Sequence, residues 1–216
     1  MPDLKSIDAA SLKSVFPVAD SARPERCAEL TEARTVRRKI DRRRFVSVRN
    51  ATRAAAQIGT LPAPGEIVHM LLAPNAFDTF AILPAMIELA GKPALDVVLL
   101  TLGVNRRHLE ALSSLADAGQ VGAVSMIVSD YFRGTDREDF AAAVEVFRRH
   151  AGFRLGVGRT HCKVIAARFS DCCYLATGSG NLRSNRNWEN CDATYDDGTL
   201  FRFYADFAAD LLKGQN

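Results

Sequence analysis

The chain has 216 residues, 48% of them apolar and 25% charged, the balance of a globular domain rather than of a disordered or fibrous chain. No run approaches the roughly 20 apolar residues that span a bilayer, and Met1-Pro2-Asp3-Leu4-Lys5 contains no apolar leader. The expectation is a cytoplasmic protein without stable membrane insertion. The net charge of +3 is unevenly spread: Arg34, Arg37, Arg38, Lys39, Arg42, Arg43, Arg44, Arg49 and Arg53 face one acid, Asp41. Such a basic arm calls for a polyanion, nucleic acid first and acidic lipid second, unless it is only a solvated helix.

Residues 1–33 are weakly patterned, with Pro17 and Pro24 as breakers, and residues 34–60 read as a helical stretch ending at Gly59. Residues 1–60 are therefore an N-terminal basic, helical segment, and Leu61-Pro62-Ala63-Pro64-Gly65 is the turn into a domain at 61–216. Glu66–Leu72 reads as a strand. Asn75–Leu89 reads as a helix bounded or kinked at Pro84. Leu95–Thr101 and Val121–Ser129 are continuous apolar runs of strand length, as in a sheet covered on both faces. Between them Asn105–Ala118 is an amphipathic helix closed by Gly119. Thr135-Asp136-Arg137-Glu138 has capping-box spacing for a helix reaching about Ala151. Leu155–Val157, His161–Ala167 and Tyr174–Thr177 are extended segments, and Leu200–Leu212 is a closing helix. Alternating strands and helices predict an α/β layered fold with a mostly buried mixed sheet.

The five cysteines, Cys27, Cys162, Cys172, Cys173 and Cys191, form no CxxC pair, and an odd count cannot be fully paired. They lack the spacing of a zinc site, so no metal and no other cofactor is expected. Cys172 and Cys173 fit a strand as small apolar residues.

The chemistry is concentrated between Thr160 and Asn190. His161 and Lys163 stand two apart on an extended segment, so both side chains share a face and can meet an anion. A second strand returns to Gly178-Ser179-Gly180-Asn181, where the glycines admit close backbone approach and Ser179 and Asn181 add hydrogen-bonding groups. A hairpin brings Lys163 and this turn to one end of the sheet. There Lys163 offsets phosphate charge, Asn181 and Ser179 hold non-bridging oxygens, and a histidine can attack phosphorus covalently.

His161-Cys162-Lys163 followed by Gly178-Ser179-Gly180-Asn181 resembles the H-x-K … G-S-x-N signature of the phospholipase D superfamily, and Asn187-Trp188-Glu189 looks like its downstream Asn-x-Glu. The likeness covers about 30 residues, and the strand–helix alternation before it is compatible with a phospholipase D-like fold. The resemblance implies a metal-independent phosphodiesterase in which His161 is the nucleophile, Lys163, Asn181 and Ser179 stabilise the transition state, and Glu189 orients the imidazole. Gly178, Gly180, Arg183 and Arg186 are the expected substrate-binding neighbours, and Trp188 is either a base-stacking or a packing residue. One departure stands out: the family places an Asp five residues after the Lys, and this chain has Arg168 there, with Asp171 the nearest acid and a hairpin about three residues longer. The expected loss is structural, not chemical.

Only one copy of the motif is present, while the reaction needs a second histidine to protonate the leaving oxygen. Single-copy members of the family pair their sites across a two-fold axis, so a homodimer is expected. The remaining histidines receive no site role: His69 is expected as a core histidine on a buried strand, and His108 and His150 as surface residues on helices. The preferred function is that of a nuclease acting on DNA or RNA. The alternatives are a phospholipid hydrolase or phosphatidyltransferase, and a catalytically inactive relative that only binds nucleic acid.

Overall fold

The computed structural model describes residues 42–183 and 186–214, with backbone alone for 42–48. These residues fall in one compact unit. The segment up to about residue 33 lies outside them, as do Arg34, Arg37, Arg38, Lys39 and Asp41 of the basic run.

The two apolar runs form the middle of the molecule. Strand β2 (Ala94–Thr101) and strand β3 (Val121–Ser129) pair in parallel, joined by helix α3 (Arg106–Asp117). Strand β4 (Phe153–Gly158) continues the parallel part beyond β3. On the other side the sheet is antiparallel: β5 (Val164–Arg168) on β2, then β6 (Cys173–Gly178), β7 (Glu189–Asp196) and β1 (Ile67–Leu72). The order is β1-β7-β6-β5-β2-β3-β4. Both terminal strands of this order are edges, which explains why the residues of β1 alternate between solvent and core while those of β2 are mostly buried.

Most helices cover one face. Helix α1 (Arg42–Ile58), helix α2 (Ile82–Ala90), α3 and helix α5 (Arg137–Arg149) enclose the larger core, which includes Leu72, Phe80, Met86, Leu99, Leu109, Leu112 and Met126. Helix α1, placed by its sequence in the N-terminal segment, buries Ala54, Ala55 and Ile58 in this same core. Helix α6 (Thr199–Lys213) covers the opposite face, where Phe201 and Ala208 seal Val98, Leu100, Ile127, Val164, Ala166 and Leu175. Burying a side chain such as Phe201 is worth about 1.5–3 kcal/mol. Asp196 fixes the start of this helix by accepting hydrogen bonds from the Leu200 and Phe201 amides at 3.0 and 2.8 Å.

Several local expectations are corrected. The helix expected from Asn75 begins only at Ile82, after a 3-10 turn at Thr79–Ala81, and Pro84 sits in its first turn, where no amide donor is required. The capping box is not made: Thr135 closes a short helix α4 (Asp130–Thr135) by donating to the Tyr131 carbonyl, and Asp136 spends its carboxylate on Arg183. Helix α3 behaves as expected, with Asn105 accepting from the His108 amide at 3.0 Å and Gly119 at φ 67° closing it. Strand β7, to which no strand was assigned from sequence, pairs with β1 over Glu189 to Thr194 and with β6 over Cys191 to Asp196.

Candidate active site

Antiparallel pairing decides which residues meet. The N-terminal end of β5, the C-terminal end of β6 and the N-terminal end of β7 lie at one end of the sheet, with Val164 opposite Thr177 and Gly178 opposite Cys191. His161 and Lys163 precede β5 rather than lying within it, so they are not bound by strand pleating. They meet nonetheless: Lys163 Nζ lies 2.7 Å from His161 Nδ1 and 2.7 Å from the His161 carbonyl. His161 is exposed and Lys163 half-buried. Burial holds the Lys163 pKa below the ordinary lysine value, against the opposing charges of Cys162 and Glu189.

The turn after β6 is fastened from several directions. The Ser179 amide donates to the Asn190 carbonyl at 3.0 Å, the Asn190 amide donates to Ser179 Oγ at 3.1 Å, and Ser179 Oγ donates to the Glu189 carboxylate. Glu189 thus grips the Ser179 turn, while the imidazole is held by Lys163. The backbone at Gly178 lies against the Asn190 carbonyl, and Gly180 lies against the Thr79 hydroxyl. A side chain at either position would collide, which is the physical reason for two glycines here. Asn181 follows, its Oδ1 buried without a protein partner, as are Thr79 Oγ1 and Arg183 Nε.

Behind Asn181 stands a network that sequence reasoning missed. The Leu182 amide donates to Thr101 Oγ1 at 3.2 Å, and its carbonyl accepts from His108 Nδ1 at 2.9 Å. His108 is 3% exposed, contrary to the surface position expected for it; its ring stacks on Phe80 with centroids 4.9 Å apart. Its Nε2 lies 2.9 Å from Asp78 Oδ2, which also pairs with Arg107. Burial raises the Asp78 pKa, but the hydrogen bond and charge of His108 and the charge of Arg107 outweigh it and leave the carboxyl below its usual value. The signal for a buried His108 was helical spacing, which places it on one stripe with Leu112 and Leu115. His69 is corrected in the opposite sense: its edge strand leaves the imidazole exposed, 2.8 Å from Asp192 on β7. His150 is half-buried and bonds Ser113.

The two arginines differ. Arg183 lies 5.3 Å from the Phe132 ring centroid and pairs with Asp136 at 2.6 Å, so its charge is already engaged within the protein. Arg186 is exposed, and so is Trp188 two residues on, at 66%. At the far end of β5, Arg168 pairs with Asp96 of β2, and Asp171 in the hairpin turn pairs with Lys92. Among the described residues no cluster of three or more His, Cys, Asp or Glu could hold a metal ion, and no helix is long and apolar enough to cross a membrane.

No protein-family model and no curated protein matches the chain. Solved structures do. Polyphosphate kinase from Porphyromonas gingivalis aligns over 75% of this chain with a TM-score of 0.51 and 15% identity. Phosphatidylserine synthase from Haemophilus influenzae Rd KW20 aligns over 68% with a TM-score of 0.48 and 13% identity. TrmBL2, an archaeal chromatin protein that binds DNA, aligns over 66% with a TM-score of 0.34 and 10% identity. The chain spans 29%, 38% and 50% of these three proteins respectively. At such identities only the backbone is compared. The first alignment, with the seven-stranded mixed sheet and its flanking helices, gives this chain a phospholipase D-like α/β layered fold.

Proposed function

We propose that the chain is a metal-independent phosphodiesterase of the phospholipase D type, acting on nucleic acid through a site shared by two copies. The observation that carries this reading is the meeting of His161 and Lys163 with the Ser179–Asn181 turn at one end of the sheet. An imidazole, an ammonium and a turn anchored by backbone hydrogen bonds are the groups that a phosphodiester requires for nucleophilic displacement.

Lys163 Nζ stands 2.7 Å from His161 Nδ1 and 3.3 Å from Nε2, so the ammonium and both ring nitrogens are within reach of one phosphate. With the ring proton on Nδ1, Nε2 offers its lone pair to phosphorus while Lys163 turns to the phosphate oxygens. The Nε2–P bond forms as the bond to the leaving oxygen breaks, and the partner subunit's His161 gives that oxygen its proton. Water then attacks phosphorus, losing its proton to the same second histidine, and the P–N bond breaks to return His161 with its electron pair. Lys163 and Asn181 carry the charge on the non-bridging oxygens, and Ser179 and Glu189 hold the turn in place.

The test is cleavage of labelled single- and double-stranded DNA and RNA in EDTA, with His161→Ala purified in parallel. EDTA-resistant cleavage that the substitution abolishes is expected, with a phosphoenzyme trapped by denaturation in alkaline detergent, where the P–N bond survives. Equal cleavage by both proteins would refute the nucleophile assignment.

A further inference from the structure

Two large aromatic side chains stand in water at the same end of the sheet as His161. Tyr131 is 63% exposed and Trp188 is 66% exposed. Tyr131 is the second residue of α4, which follows β3 directly, and Trp188 immediately precedes β7. The pairing directions put the end of β3, the start of β5 and the start of β7 on one side. In the order β7-β6-β5-β2-β3 each aromatic is two strands away from β5. With neighbouring strands about 4.8 Å apart, the strand ends from which the two aromatics extend lie roughly 10 Å on either side of β5, which His161 precedes.

Tyr131 is held rigidly in this exposed place. The next residue, Phe132, is 1% exposed, and its amide donates to Ser129 Oγ at 3.1 Å. The Tyr131 amide and carbonyl are satisfied by Asp130 and Thr135, which leaves only the ring facing solvent. Two exposed arginines are close to these aromatics along the chain or through one neighbour: Arg186 is two residues from Trp188, and the Arg159 side chain, 95% exposed, is 3.5 Å from Asp130, which precedes Tyr131. The acids of this rim, Asp130, Asp136 and Glu189, are engaged by Arg159, Arg183 and Ser179.

A row reading aromatic, catalytic pair, aromatic, with arginines beside it, matches a polymer that alternates phosphates with flat bases. Exposed rings can stack only on bases that are not already stacked in a duplex. We propose that the occupant of this rim is a single-stranded nucleic acid, stacking one base on Tyr131 and another, a few nucleotides along, on Trp188 with one of the phosphates between them at His161. The proposal rests on the phosphodiesterase reading for the position of that phosphate, but base stacking itself is measured without turnover.

Binding is measured on the full chain carrying His161→Ala, with a fluorescein-labelled single strand, the same sequence as duplex, and vesicles of phosphatidylglycerol and phosphatidylcholine. Trp188 is the chain's one tryptophan, so its fluorescence should quench when the single strand binds. Tyr131→Ala and Trp188→Ala should each weaken single-strand binding at least fivefold, from the usual energy of base–aromatic stacking. Tyr131→Phe and Trp188→Phe should restore most of the loss, and Phe203→Ala, which removes an equally exposed aromatic from α6, should have no effect. Unquenched Trp188, an equal loss on duplex, an equal loss from Phe203→Ala, or losses confined to vesicles would each overturn the proposal. Absence of cleavage by the unsubstituted chain, with quenching and strand selectivity intact, would instead sink the phosphodiesterase reading and leave the strand-binding rim standing.

Discussion

Gly180 and Gly178 look alike in sequence, yet the structure predicts that only one of them can be replaced at the cost of a second substitution. A Cβ on Gly180 would come closer than 3 Å to Thr79 Oγ1, while the Thr79 Cβ and the Glu189 Cγ would both lie at 3.4 Å. Thr79 is 6% exposed, and its β-branched side chain has few rotamers to escape into. Overpacking of this kind costs about 1–3 kcal/mol. Removing the offending hydroxyl should cost little, because Thr79 Oγ1 is buried without a protein partner and no hydrogen bond within the protein is lost. Thr79→Ala is therefore expected to be near neutral, Gly180→Ala to lose about 1–2 kcal/mol, and the double variant to recover most of that loss. Urea unfolding of the four proteins closes the cycle; additivity within about 0.5 kcal/mol would refute the steric argument. Gly178→Ala provides the contrast. Its Cβ would strike the Asn190 carbonyl oxygen in the neighbouring strand, so no side-chain change should rescue it.

Asp78→Asn keeps the shape of a buried ion-pair partner but removes its charge from His108 and Arg107, and should cost about 3–5 kcal/mol, read as a lower urea midpoint. Because the Asp78 carboxyl is held below its ordinary 3.8, its contribution to stability is present above that pH and lost as pH falls through the folded value. Acid unfolding of Asp78→Asn should therefore show a shallower dependence on pH below about 4. Among the thiols, Cys162 is exposed, whereas Cys173 and Cys191 are buried and pushed up to about 11 and about 12. Iodoacetamide at neutral pH followed by peptide mass mapping should label Cys162 first among these three and reach Cys173 and Cys191 only in denaturant. Arg168→Asp would place an acid where the phospholipase D signature has one but set it against Asp96. It should lower stability by under about 1 kcal/mol, the pair being partly exposed, and leave turnover unchanged.

What could be read from the sequence divides along a physical line. Val121–Ser129 was placed to the residue because a strand covered on both faces is a continuous apolar run bounded by polar ends. That Lys163 and the Gly178 turn meet was legible because the spacing between them matches one strand, a reversal and a second strand; that His161 and Lys163 stand before the first strand and not in it was not. Strand β7, with the sequence ENCDATYD, was not. One of its faces carries Asn190, Asp192 and Thr194 toward the uncovered part of the sheet, so it lacks apolar residues at the density that signals a strand. His108 was misplaced for a related reason: an imidazole is read as polar until its partners are known, and Asp78 and Leu182 are distant in sequence. Thr135 shows the same competition, its expected role as a helix cap giving way to a hydrogen bond to the Tyr131 carbonyl.

The Arg168 departure can be weighed by distance. Lys163 and Arg168 are separated by five residues along β5, about 17 Å at the rise of a strand. Two unit charges that far apart in water interact by about 0.2 kcal/mol, and ions screen most of that, since the Debye length is about 8 Å at physiological salt. A charge reversal at the turn end therefore cannot appreciably change what a phosphate meets at His161. Locally it matters more, and there the structure supplies two opposite charges: Asp96 receives Arg168 across the β2–β5 ladder, and Asp171 is taken by Lys92. The extra residues of the hairpin thus lie within a rebuilt set of ion pairs at one end of the sheet. At the other end the hydrogen bonds joining Ser179, Glu189 and Asn190 are complete. The proposed chemistry and these ion pairs occupy opposite ends of the same strands, so the one departure from the signature that the sequence resembles lies away from His161.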